Sequence, residues 1–169
     1  MGMSKQLLDA MNDQIAMEFA AAYKYLQMSA WFDEHNLPGF ATWMRMQYQE
    51  EIEHAEKFFD FVLERGDAVS LRSVEIPPLE FDSPVDVFAA ALASEEAVTA
   101  AIRNLYEIAE ADKDYSSYPL LQWFLTEQVE EEQNVGLALE TLKMVGDDKR
   151  ALLVLDREMG QRGPEDGGE

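Results

Sequence analysis

The stretch Met44-Arg45-Met46-Gln47-Tyr48-Gln49-Glu50-Glu51-Ile52-Glu53-His54-Ala55-Glu56-Lys57-Phe58-Phe59-Asp60-Phe61 decides the fold. Taken at alternating steps of three and four, the spacing of an inward-facing helical seam, it yields Met44, Gln47, Glu51, His54, Phe58 and Phe61. That seam is apolar at both ends and carries an acid and an imidazole at its middle. A helix that turns such groups inward needs partners able to receive them at the same level.

Three further segments supply them. The segment from Ser4 to about Glu34 gives Leu8, Met11, Ile15, Glu18, Ala22, Tyr25 and Ser29. The segment opened by Ser83-Pro84 and ending near Ala111 gives Phe88, Leu92, Glu95, Thr99, Ile102 and Tyr106. A fourth, running to about Val145, gives Leu121, Phe124, Gln128, Glu131, Val135, Ala138 and Leu142. The spacing is duplicated. Glu51 follows Glu18 by 33 residues, with His54 three further on; Gln128 follows Glu95 by the same 33, with Glu131 three further on. Four helices thus bring polar residues to one level as two halves of a pseudo-repeat.

Punctuation sets the connectivity. Asn36-Leu37-Pro38-Gly39 breaks the first helix from the second, which is expected from about Phe40 to Arg65 and closed by Gly66. Asp112 to Ser117 is a short turn, and Gly146 stops the fourth helix. The long connection is the one between helices two and three; it contains Pro77-Pro78, with a weak strand signal near Val74 to Ile76. A bundle with one long crossover follows. Asp147 or Asp148 caps a short fifth helix through Met159, so residues 1–160 form one domain and Gln161 to Glu169 an acidic, disordered tail.

Composition narrows the function. Thirty-four acids against thirteen Lys and Arg give a formal net charge of -21, which repels nucleic acid and anionic membranes and attracts cations. With no cysteine, thiolate metal sites and disulfides are excluded. Asp9 and Asp13 interrupt any signal-peptide core, Gln6 stands where a myristoylation site wants Ser or Thr, and no segment has the apolar length of a membrane span. A cytoplasmic protein is expected.

Buried carboxylates without partners cost several kcal/mol each and raise one another's pKa. No seam position holds Lys or Arg, so a bound cation is what keeps the acids together and ionised. Oxygen ligands with one imidazole suit iron or manganese, and zinc less exclusively. Di-metal carboxylate bundles use one Glu from each of two helices plus Glu-x-x-His from the other two. Glu18 and Glu95 are the single glutamates here and Glu51-Ile52-Glu53-His54 is one full motif, whereas Gln128-Val129-Glu130-Glu131 ends in Glu. Two unequal metal positions are expected, one ligated by His54 and one all-oxygen.

From Lys5 to about Met159 the chain resembles the prokaryotic non-haem ferritins. The resemblance rests on Tyr25-Leu26-Gln27-Met28-Ser29-Ala30-Trp31, on Gln49-Glu50-Glu51 with His54, and on Leu121-Gln122-Trp123 leading to Glu127-Gln128 and Glu130-Glu131-Glu132. Asp148-Lys149-Arg150-Ala151-Leu152-Leu153 with Leu155-Asp156 adds the family's fifth helix. It implies an all-α, ferritin-like four-helix bundle and a ferroxidase centre holding two Fe(II)/Fe(III). The first site would use Glu18, Glu51 and His54, with Glu51 bridging to a second site of Glu95 and Glu131, and Gln128 hydrogen-bonding beside them. A third iron position maps to Glu50, Glu127, Glu130 and Glu131; by spacing, Glu50, Glu127 and Glu130 each directly precede a seam residue. The resemblance makes Tyr25 a one-electron donor, where spacing alone reads a core tyrosine.

The family further implies O2 as oxidant, with H2O2 the alternative, and a homo-oligomeric shell, commonly of twenty-four subunits, that stores ferric oxo-hydroxide. Phe19 and Trp43, away from the seam, are expected to leave apolar surface for subunit contacts. Trp31, Trp43 and most of the methionines read as packing, Trp123 as packing with electron transfer the functional alternative, His35 as a surface residue, and Glu53 and Glu56 as solvated acids. Haem is not expected, because Ile52 stands where a haem-binding relative carries Met and no second Glu-x-x-His is present. A DNA-binding mini-ferritin would bring a basic tail. The rival from another class is a non-storage di-iron oxidase or peroxide reductase.

Overall fold

The computed structural model describes residues 2–161, in which five helices follow one another: α1 (Lys5–Glu34), α2 (Pro38–Glu64), α3 (Pro84–Ala111), α4 (Tyr118–Val145) and α5 (Lys149–Met159). The expected caps hold three of them. Ser4 Oγ accepts the Leu7 N–H at 3.1 Å, Ser83 Oγ accepts the Asp86 N–H at 3.2 Å, and Asp148 Oδ1 accepts the Arg150 and Ala151 N–H groups at 2.9 and 3.2 Å. Gly66 (φ 75°) and Gly146 (φ 56°) turn the chain out of α2 and α4 in the left-handed region. The second helix starts two residues before the expected Phe40. Pro38 fits the first helical position, where its fixed φ helps and its missing N–H costs nothing; Asn36 (φ 60°) makes the break instead.

Helices α1 and α2 form one antiparallel hairpin and α3 and α4 the other. Residues 66–83 run back along α1: Met3 N–H donates to Asp67, Ser70 N–H to Asn12 Oδ1 at 2.7 Å, and Trp31 Nε1 to the Phe81 carbonyl at 3.2 Å. That return makes α2 and α3 parallel and yields the expected bundle with a single long crossover. No strand forms among the described residues, so the weak signal around residues 74–76 finds no pairing partner. No helix among them is long and apolar enough to cross a membrane. Gln161 ends the described residues in a turn; the rest of the expected disordered tail, 162–169, lies outside them.

The apolar core is split in two. One cluster centres on Phe32, Phe40, Met44, Phe88 and Val135, the other on Met11, Ile15, Phe58, Ile102 and Phe124. Between them lies a polar layer built from the middles of the four seams. At the bundle's ends Leu8, Phe61, Leu92 and Tyr106 are only half-buried, and Leu7, Val62, Ala91 and Leu105 occupy the core. Of the two readings of Trp43, packing holds and subunit surface does not: it is buried, 5.2 Å from the Phe88 ring, with α5 packed across α2. Phe19 is half-buried.

Candidate metal centre

Each of α1 to α4 contributes to the polar layer from its middle: Glu18 and Tyr25 from α1, Gln47, Glu51 and His54 from α2, Glu95 and Thr99 from α3, and Gln128 and Glu131 from α4. All nine are buried. Glu18, Glu51 and His54 each offer one ligand atom within 4.8 Å of the others, and so do His54, Glu127 and Glu131. His54 therefore stands at the junction of two potential ligand sets. Its Nδ1 lies 3.4 Å from Glu51 Oε2, and its ring is packed edge-on to Trp123 and Phe124 at 5.7 and 5.5 Å.

The remaining carboxylates are held by hydrogen bonds. Glu18 Oε1 accepts from Gln14 Nε2 at 2.8 Å, and Glu131 Oε2 from Gln47 Nε2 at 2.7 Å. Glu95 receives Tyr25 Oη–H on Oε1 and Gln128 Nε2 on Oε2, the latter at 3.1 Å. Among the described residues three buried side-chain oxygens have no donor: Glu18 Oε2, Glu51 Oε1 and Gln128 Oε1. Orphaned acceptors of this kind are costly in a core and are what a cation would satisfy.

Electrostatics point the same way. Burial, only partly offset by hydrogen bonds from Gln14 and Glu51, raises the Glu18 carboxyl to about 7. Burial and the charges of Glu95, Glu18 and Glu131 push Glu51 well above the usual carboxylate range. Glu95 is raised by burial against the hydrogen bonds from Tyr25 and Gln128. Burial, then the three nearby carboxylates, lifts the Tyr25 phenol well above its ordinary value. His54 moves to about 4, because it is buried and Lys57 stands nearby, so its imidazole is neutral and available as a ligand. Lys57 does not neutralise the acids; its Nζ sits over the Trp123 ring, 3.9 Å from the centroid. A divalent cation fits this donor set of carboxylates, one neutral imidazole and orphaned oxygens.

The expected residues are not gathered equally. Glu95 faces Tyr25 and Gln128 and belongs to neither ligand set, while Glu131 groups with His54 and Glu127. Glu50 and Glu127 are half-buried and Glu130 is exposed. Glu53, Glu56 and His35 are exposed, as expected, with His35 stacked on Trp31 at 3.8 Å. Sequence reading assigned no role to Gln14, Gln47 or Thr99. Gln14 was discoverable, since an amide four residues before Glu18 lies one turn away on the same helix face. The bond from Gln47 to Glu131 crosses between α2 and α4 and leaves no local trace.

A family model for the ferritin-like domain matches residues 8–145. The bacterial non-heme ferritin of Staphylococcus aureus (strain USA300) is 39% identical over 160 residues, covering 95% of this chain and 96% of the relative. That of Staphylococcus haemolyticus (strain JCSC1435) matches with the same identity and coverage. Among solved structures, an open-pore ferritin from the hyperthermophilic archaeon Archaeoglobus fulgidus is 47% identical with a TM-score of 0.93, covering 95% of this chain and 98% of that one. A closed form of the Archaeoglobus fulgidus ferritin made by site-directed mutagenesis is 46% identical, also at 0.93, covering 96% and 99%. Helix order, polar layer and kinship agree, and the chain belongs to the ferritin family as a prokaryotic non-haem ferritin.

Proposed function

We propose that this protein takes up Fe(II) as substrate, oxidises it with O2 at two adjacent positions in the bundle, and stores the ferric product inside a closed shell of copies, nominally twenty-four, in the cytoplasm. The observation that carries this reading is the set of buried, uncompensated carboxylates around a neutral His54, with Glu18 Oε2 and Glu51 Oε1 left without donors. One Fe(II) is held by Glu18, Glu51 and His54. A second is held by Glu131 and Glu95, with Glu51 between the two.

Two Fe(II) give two electrons to O2, which with two protons reaches the level of hydrogen peroxide. Tyr25, hydrogen-bonded to Glu95, can give the peroxide a third electron and pass its own proton to that carboxylate; with a fourth electron from a third Fe(II) and two protons from water, the peroxide becomes two waters. Each Fe(III) then takes oxygen from water as oxo-hydroxide and releases three protons. Glu127 beside Glu131 and His54 supports a third iron position, completed by Glu50 and Glu130. No haem takes part. Residues 1–160 act as one domain.

Aerobic addition of Fe(II) to the metal-free protein should give a fast absorbance rise and hundreds of irons retained per particle. Glu51→Ala or His54→Ala should slow the fast phase by more than about tenfold, since even the neighbours of metal ligands cost that much. A small oligomer retaining only a few irons per chain would refute storage; an unchanged fast phase in both variants would refute the site.

A further inference from the structure

The second half of the pseudo-repeat contains a brace that the first half lacks. Gln128 Nε2 donates toward three acceptors, Glu95 Oε2 at 3.1 Å, the Glu95 carbonyl at 3.2 Å and Thr99 Oγ1 at 3.2 Å. A backbone carbonyl can only accept, so the atom facing it must be the amide nitrogen. Thr99 has one hydroxyl hydrogen and gives it to Glu132 Oε1 at 2.6 Å. With that hydrogen committed, Thr99 can only accept from Gln128. The amide is pinned on its nitrogen side, and Gln128 Oε1 is left buried and without a donor. The pseudo-repeat relates Thr99 to Ala22, Glu132 to Ala55 and Gln128 to Glu51. Where the first half has a symmetric carboxylate it carries two alanines; where the second has an amide, whose two ends differ, it carries a threonine and a half-buried glutamate.

We infer that Thr99 and Glu132 are positioning residues for the metal position on the Glu131 side, acting through Gln128. They keep the Gln128 NH2 turned to Glu95, which holds that carboxylate in place, and keep Oε1 rather than N–H hydrogens turned toward the cation. A flipped amide would point positive hydrogens at the cation and release Glu95. The inference rests on the two-position reading above and adds to it two residues that touch no metal.

The test is site-resolved zinc occupancy, by anomalous scattering, in crystals of the metal-free assembled protein equilibrated with graded Zn2+. In Thr99→Val and Glu132→Ala, the Zn2+ needed to half-fill the Glu131-side position should rise by about tenfold, the cost seen when partners of metal ligands are lost. The His54-side position should fill as in the unaltered protein. Thr99→Ser and Glu132→Gln keep the hydroxyl and an acceptor for it, and should retain normal filling. A purely packing role would spare the equally sized Thr99→Val and weaken Thr99→Ser, which loses a methyl, or would weaken both positions together; either result overturns the inference, as does normal filling in Glu132→Ala. Failure of the unaltered protein to show two positions would instead overturn the two-position reading from which the inference starts.

Discussion

At the scale of single residues, the centre holds its protons where a cation belongs. The Glu18 carboxyl is raised to about 7 by burial, Glu51 is pushed well above the usual carboxylate range by burial and its acidic neighbours, and His54 is lowered to about 4. The sign of the pH dependence follows. A carboxyl raised in the fold stabilises the metal-free protein fully below its unfolded value of 4.5, and that contribution is lost as pH rises through the folded value. His54 acts oppositely, but only below its ordinary 6.5, where the unfolded chain takes a proton that the folded one refuses. Above about pH 6.5 the carboxyls alone contribute, at roughly 1 kcal/mol per pH unit for each proton retained. Calorimetry on chelator-treated protein should show the melting temperature falling as pH rises from about 6.5 through the Glu18 value of about 7. Saturating Zn2+ should abolish or reverse the slope, because metal binding strengthens as ligands lose protons. A metal-free protein whose melting point stays level or climbs across that interval would contradict the proton assignment.

At the scale of elements, α5 completes a helix that cannot cap itself. Leu37 at the start of α2 offers no side-chain acceptor; Asp156 of α5 does so instead, its Oδ1 taking the Phe40 N–H at 2.9 Å. The approach is tight enough that a Cβ on Gly39 would stand 1.6 Å from the Asp156 carbonyl oxygen. Gly39→Ala should therefore lift α5 from α2, lowering stability by about 1–3 kcal/mol as overpacked contacts do. Hydrogen exchange across residues 149–159 should accelerate while the polar layer stays protected; unchanged exchange there would show that the contact yields cheaply. This packing explains where sequence reading stopped. Caps at Ser4, Ser83 and Asp148 are local chemistry and were legible, as were the polar seam positions, because four stripes repeat one pattern. The stripe ends were not. A step of 3.5 loses register with a helix of 3.6 per turn, so Leu7 and Val62, eleven residues from Glu18 and Glu51, are buried where Leu8 and Phe61 were expected. The reading of Trp43 as subunit surface failed because α5, which covers it, lies outside the four-helix pattern. The cross-helix bonds of Gln47 and Gln128 depend on contacts between segments some 80 and 30 residues apart.

At the scale of the whole molecule, the -21 charge has local structure. Along the solvent side of α2, Glu53, Glu56, Asp60 and Glu64 line a groove of about 410 Å³ together with Lys57, whose ammonium is held over Trp123. These acids stand on the same helix as Glu51 and His54, so the groove carries negative charge along the helix that holds the centre. Clustered like charges raise the local concentration of cations within about a Debye length, roughly 10 Å at 0.1 M salt. On the proposed function, that surface should collect iron leaving the centre and act after oxidation. Changing the four acids together to their amides should leave the first fast oxidation of two Fe(II) per chain near normal. It should slow the later growth of the ferric mineral several-fold, read as the absorbance course at hundreds of Fe(II) per particle. A control removing four other exposed acids, Glu75, Glu80, Glu96 and Glu107, changes net charge equally but leaves the α2 groove intact. If both quadruple variants slow growth alike, overall charge governs deposition. If only the α2 variant does, the groove beside the centre is where the stored iron first collects.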